Sequence, residues 1–153
     1  MRFLFEKLAQ GKYDRLFVER DGGREEIACP KIGGIPHDMV HFAVENVMQR
    51  QGFLRRVAQG EALSFQMKAD VTSDQMERLV EVMQADAISG FPPASDLIDM
   101  YRVTCDARSV APYPISEAHI AALREEMARL SKLWAATPPG GTLALEFEHT
   151  EPV

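Results

Sequence analysis

Arg15-Leu16-Phe17-Val18-Glu19-Arg20-Asp21-Gly22-Gly23-Arg24-Glu25-Glu26-Ile27-Ala28-Cys29 is the stretch from which the fold of this chain is read. Leu16 and Val18 alternate with Arg15, Phe17 and Glu19, the two-residue period of a strand with one buried face, and Ile27 with Cys29 resumes the pattern beyond Asp21-Gly22-Gly23. Aspartate and glycine accept the positive φ of a tight turn, so the two runs form a hairpin. Just upstream, Phe3 and Phe5 alternate with Arg2, Leu4 and Glu6 as a further strand.

Working outward, the next strong alternation is at the far end of the chain. Leu143, Leu145 and Phe147 alternate with Ala144, Glu146 and Glu148 directly after Thr137-Pro138-Pro139-Gly140-Gly141. A strand needs a partner, and the other strong strands lie in the first thirty residues, so the C-terminus returns to the N-terminal hairpin. The expected fold class is α+β: a small antiparallel sheet of N-terminal hairpin strands plus the C-terminal strand, with helices packed on one face. Nothing in composition divides the chain, and residues 1–153 are read as a single domain.

Helical signals fill the interval. Lys31-Ile32-Gly33-Gly34 reads as a flexible approach to a helix that starts at Pro36 and runs to about Gln49, and 53–58 reads as a short helix ending at Gly60. Leu63, Phe65 and Met67 alternate as a strand would, in a segment short enough to be helical instead. Thr72 or Ser73 offers an N-cap to a helix carrying Met76, Leu79, Val80, Met83, Ala87 and Ile88, which Gly90 and Pro92 stop. A short helix from Ser95 carries Leu97, Ile98 and Tyr101 on one side. Ser116, flanked by Ile115 and Ile120, caps the clearest amphipathic helix, whose stripe is Ile120, Leu123, Met127, Leu130 and Trp134.

The densest chemistry lies in Pro36-His37-Asp38-Met39-Val40-His41-Phe42-Ala43-Val44-Glu45, where two of the four histidines share one predicted helix with two carboxylates. A helix advances about 100° per residue, so His37, His41 and Glu45 fall within an arc of roughly 80°, with Asp38 at its edge. Val40, Val44, Val47 and Met48 form the apolar stripe, and the histidines overlap its border.

Three readings of this cluster compete. In the first, His37, His41 and Glu45 bind a divalent metal such as zinc, with a distant residue such as His119 able to complete the shell. In the second, a His–Asp or His–Glu pair does acid–base chemistry without a metal, and His37 and Asp38 are the candidate catalytic residues. In the third, every residue has a structural job: Pro36 suits the first turn and Asp38 complements the helix dipole. His41, buried more deeply than His37, then packs on the core edge while bonding Glu45 or a carbonyl. Because the third accounts for each residue, a structural or protein-interaction domain is the leading expectation. A metal-dependent hydrolase or related enzyme built on His37, His41 and Glu45 is the alternative.

The helix is similar to the His-Glu-x-x-His zinc helices in its i, i+4 imidazoles. Position 38 is Asp, one methylene shorter than the Glu that acts there as general base, so metalloprotease chemistry does not carry over. The His37-Asp38 doublet resembles the HD-type phosphohydrolases, which need a further metal-binding histidine upstream; none precedes His37. Ile35-Pro36-His37-Asp38-Met39-Val40-His41-Phe42, then Gly52-Phe53, then Trp134 ahead of Gly141-Thr142-Leu143-Ala144-Leu145, resemble a group of uncharacterised bacterial proteins with an Ile-Pro-His-Asp-x-Val-His-Phe type motif. That resemblance implies a bacterial origin and a shared α+β layout, and it adds no activity, substrate or catalytic residue.

Composition narrows the partners. With 23 acidic against 17 basic residues the formal charge is −6, which gives no general attraction to a phosphate backbone, so neither nucleic acid nor an anionic membrane is expected. Arg50, Arg55 and Arg56 are the local exception; they read as charges on a solvated helix face, with a small anion-binding spot as the alternative. The two cysteines, Cys29 and Cys105, lie in segments of different type and read as small buried hydrophobes. No apolar run reaches about 18 residues and Met1-Arg2-Phe3-Leu4-Phe5-Glu6 has no signal-peptide core, so a cytoplasmic location is expected. Met48, Met76, Met83 and Met127 fall on apolar helical faces, which reads as core filling. Those faces bury one another in a monomer or extend into a homo-oligomer or protein interface, and the sequence leaves that choice open.

Overall fold

The structure, a computed structural model, describes residues 1–64 and 70–149. Strands β1 (Phe3–Glu6), β2 (Tyr13–Arg20), β3 (Gly23–Ile32) and β4 (Ile35–Pro36) come first. Helices α1 (His37–Met48), α2 (Phe53–Ala58), α3 (Val71–Ile88), α4 (Ala94–Ala107) and α5 (Glu117–Ala136) follow, and β5 (Thr142–Leu145) returns to the sheet. The sheet order is β4-β3-β2-β1-β5 with antiparallel neighbours throughout. This is the α+β class expected from the alternating segments. The C-terminal strand pairs with β1, Phe3 opposite Leu145 and Glu6 opposite Thr142.

The central hairpin closes in two residues. Arg20 pairs with Gly23, while Asp21 and Gly22 take φ of 47° and 76°, the mirror-image turn whose twist matches that of the flanking strands. Phe3, Phe5, Leu16, Val18 and Cys29 are fully buried and join one hydrophobic cluster with residues of the helices. Phe17, the intervening residue of β2, is screened by the Arg24 guanidinium 3.7 Å from its ring centroid. Lys7, just past β1, stands 4.8 Å from the centroid of the buried Trp134 ring and donates to the Trp134 carbonyl, tying α5 to the sheet end.

Several local readings change in the folded chain. The stretch 31–34 is not a flexible approach: β3 continues to Ile32, turns at Gly33-Gly34, and pairs Lys31 with Pro36 and Ile32 with Ile35. The histidine helix therefore springs directly from a sheet strand, which fixes where its first turn points. Pro36 is the residue before that helix, at φ −61°, and not part of its first turn. Asp70 caps α3, in place of Thr72 or Ser73, because its carboxylate accepts both the Ser73 N–H and the Ser73 hydroxyl at 2.9 Å. The apolar stripe of α3 ends at Met83, since Ala87 and Ile88 are exposed.

The helix from Ser95 is longer than expected, 14 residues, with Leu97, Tyr101 and Cys105 buried along one side. Ser116 caps α5 as read from the sequence, and Ile120, Leu123, Leu130 and Trp134 are buried. Both cysteines are buried and free. Leu63 is buried within a turn, and the expected alternation through Phe65 and Met67 lies outside the described residues. No helix among the described residues is long and apolar enough to cross a membrane.

Candidate metal centre

Because β4 runs straight into α1, His37 is the first helical residue, half-buried, and His41 lies one turn deeper, buried at 5% exposure. Their rings meet edge to face with centroids 4.9 Å apart, and Phe53 closes on His41 from α2 with centroids 6.0 Å apart. Across the seam, α3 supplies Glu77, whose Oε2 lies 3.4 Å from His41 Nε2. His37, His41 and Glu77 each present one donor atom, all within 4.8 Å of one another. Gln84, seven residues after Glu77 on α3, places its side-chain amide against Nδ1 of His37.

The electrostatics suit neutral imidazole. Burial holds His41 down at about 4; the Asp38 carboxylate pulls the other way and His37 adds to the depression. Metal ligation needs an unprotonated nitrogen, so this ring meets little competition from protons at neutral pH. Burial also raises the Glu77 carboxyl and Asp74 adds to the rise, while His37, Arg78 and Arg108 oppose it.

Glu45, expected as the third donor with His37 and His41, has a different place. Its Oε1 accepts the N–H of Gly52 at 3.1 Å and of Arg55 at 2.8 Å, and its Oε2 accepts the N–H of Leu54 at 3.1 Å. These are the amides at the start of α2, where orphan N–H groups and the helix dipole favour an anion. Gly52 permits the approach: a Cβ there would stand 2.7 Å from Glu45 Cδ. Burial lifts the Glu45 carboxyl to about 7, against the pull of the three N–H groups and of Arg55. The seat beside the two imidazoles that helical spacing assigned to Glu45 is taken by Glu77.

The remaining candidates also separate. Asp38 is buried against Cys29, whose thiol is pushed far up by burial first and the Asp38 charge second. His119, the distant donor considered above, is held at the start of α5, its Nδ1 accepting the Ser116 N–H at 3.0 Å while its own N–H donates to Ser116 Oγ. The three arginines do not form a common anion spot. Arg50 pairs with Tyr113 and Arg56 with Asp70. Arg55, read as solvated, is 1% exposed; it donates to the carbonyls of Glu45 and His149 and stands 4.2 Å from the Phe147 ring centroid.

Reading one helix at a time misses Glu77 and Gln84 and puts Arg55 in solvent. For the first two a trace exists: 77 and 84 fall seven residues apart, on one line of α3 bordering Met76, Val80 and Met83. Nothing in that spacing says the line faces the histidines. Scanned against protein-family models, the curated proteins and the solved structures, this chain finds no match in any of the three.

Proposed function

We propose that this chain is a divalent-metal protein, with zinc the first candidate, in which His37 and His41 of α1 and Glu77 of α3 hold one ion and leave a coordination position for water. The observation that carries the reading is the convergence of two imidazoles and a carboxylate from two helices. Zinc bonds of about 2.0–2.1 Å place tetrahedral donors roughly 3.3 Å apart. His41 Nε2 and Glu77 Oε2, at 3.4 Å, are already at that spacing. Three protein donors with an open position is the ligand count of catalytic zinc, whereas structural zinc is closed by four. A water held there is acidified and becomes a nucleophile, so hydrolysis of an ester, amide or phosphoester is the activity class that follows.

A structural or interaction role is supported by a different feature, the origin of the donors on two helices, since an ion there ties α1 to α3. One experiment addresses the metal itself: metal content and zinc titration of tag-free protein, compared with His37→Ala, His41→Ala and Glu77→Ala. The expected result is one equivalent, lost in all three variants. A folded wild-type chain that takes up no zinc, manganese or nickel overturns the proposal. Zinc-dependent turnover of an activated ester, abolished by Glu77→Ala, then selects hydrolysis, and stabilisation by zinc without turnover selects the structural role.

A further inference from the structure

Resting on the metal reading above, we infer that Glu45 is a positioning residue for the metal centre, standing behind His41 and linking occupancy of the ion site to the anchoring of α2. The two nitrogens of the His41 ring face two different carboxylates: Nε2 lies 3.4 Å from Glu77 Oε2 and Nδ1 lies 3.9 Å from Glu45 Oε2. An imidazole that binds a cation through one nitrogen carries its proton on the other, and in a buried site that N–H needs an acceptor. Glu45 Oε2 is positioned to be it.

The distribution of bonds on Glu45 supports this assignment. Oε1 already accepts two amide N–H groups, from Gly52 and Arg55, whereas Oε2 accepts one, from Leu54. A carboxylate oxygen has two lone pairs, so Oε2 is the atom with capacity to spare. The gap of 3.9 Å is longer than a hydrogen bond. A bound cation withdraws density from the ring, strengthens the Nδ1–H as a donor and favours closing that gap.

The consequence is a link in both directions. Drawing Glu45 toward His41 acts on the three amides that begin α2, and holding α2 in place pre-sets the acceptor behind the ligand. Arg55 carries the link onward, because its guanidinium donates to the His149 carbonyl at 2.7 Å and covers Phe147. Coupling of this kind is reciprocal by thermodynamic necessity.

Zinc titration of the tag-free full chain tests the inference, with wild type compared to Glu45→Gln. The amide keeps a carbonyl oxygen for the Gly52 and Arg55 N–H groups, gives up the acceptor of the Leu54 N–H and removes the charge behind His41. The expected result is one-site binding weakened about 10- to 100-fold, the usual scale for losing such a partner. A folded Glu45→Gln chain within about threefold of wild type, well short of that range, overturns the positioning role and leaves the metal centre standing. No zinc uptake by wild type overturns both. If Glu45→Gln does not fold, the wild-type chain decides: zinc is expected to slow amide hydrogen exchange at Gly52, Leu54 and Arg55, and unchanged exchange at all three with zinc bound overturns the link.

Discussion

Glu45 and Glu77 approach the same imidazole from opposite sides, and their surroundings differ in kind. Glu45 is fully buried, and each of its oxygens accepts a backbone N–H at the start of α2, Oε1 two and Oε2 one. Glu77 is partly open to solvent, its side chain 25% exposed, and it faces two imidazoles. A buried carboxylate surrounded by fixed amide donors is a device for holding two helices together, since removing it strands those donors without water. A carboxylate at the solvent edge beside two imidazoles can change partner at little cost to the fold. One helix thus carries a structural end and an end suited to a cation, a turn apart.

The first way to break the comparison is to remove what backs the buried side. Deleting residues 142–153 takes away β5, the Phe147 ring between Phe3 and Phe42, and the His149 carbonyl that Arg55 binds. Loss of cooperative thermal unfolding, followed by circular dichroism, is expected. A truncated chain that melts as wild type would show that the Arg55 cluster stands without its C-terminal partner. Next in size is Glu45→Ala, which strands three buried amides at the start of α2, while the Arg55 guanidinium keeps the Glu45 main-chain carbonyl. Stability should fall by about 3 kcal/mol or more in chemical denaturation, since each stranded donor costs about 1–3 kcal/mol, whereas metal-free Glu77→Ala should lose less than about 1 kcal/mol, the scale of an accessible pair. Equal losses would erase the distinction between the two carboxylates.

Gly52→Ala sharpens the same contrast from the other side of the contact. The new Cβ would meet Glu45 at 2.7 Å, and displacing that carboxylate should cost about 1–3 kcal/mol. Stability unchanged by this substitution would mean that Glu45 has room to move and is not a fixed anchor. The smallest expected effect is at the start of α3, where Asp70→Ala removes the acceptor of the Ser73 N–H. It should cost about 1 kcal/mol, and it should leave zinc affinity at Glu77, two turns further on, unchanged.

Within the candidate site, legibility tracked distance along the chain. His37 and His41 stood out because four residues are one helical turn, and the same rule placed Glu45 on their face. Helical spacing says which residues share a side of one rod, and not what the rod packs against. Glu45 is drawn off by amides seven to ten residues later, and Glu77 arrives from a helix whose docking no local pattern encodes. Arg55 is the sharpest case. In sequence it is one charge in a run of three, and in the fold it is the most enclosed of them because the C-terminal segment closes over it.

Alternation and turn chemistry in the sequence determined the two-residue hairpin at Asp21-Gly22, the return of the C-terminal strand to the sheet, which ends at Leu145 where the alternation of 143–148 ran on to Glu148, and the cap of the last helix at Ser116. Each depends on period-two burial, on the φ that aspartate and glycine accept, or on a hydroxyl three residues from an orphan amide, and these act over a few residues. Only the tertiary structure decided which carboxylate joins the histidines and which anchors a helix. That choice turns on competition for a buried anion between a histidine and three unpaired amides, and the amides prevail over Glu45 because leaving them unbonded in the core costs more than leaving an imidazole neutral.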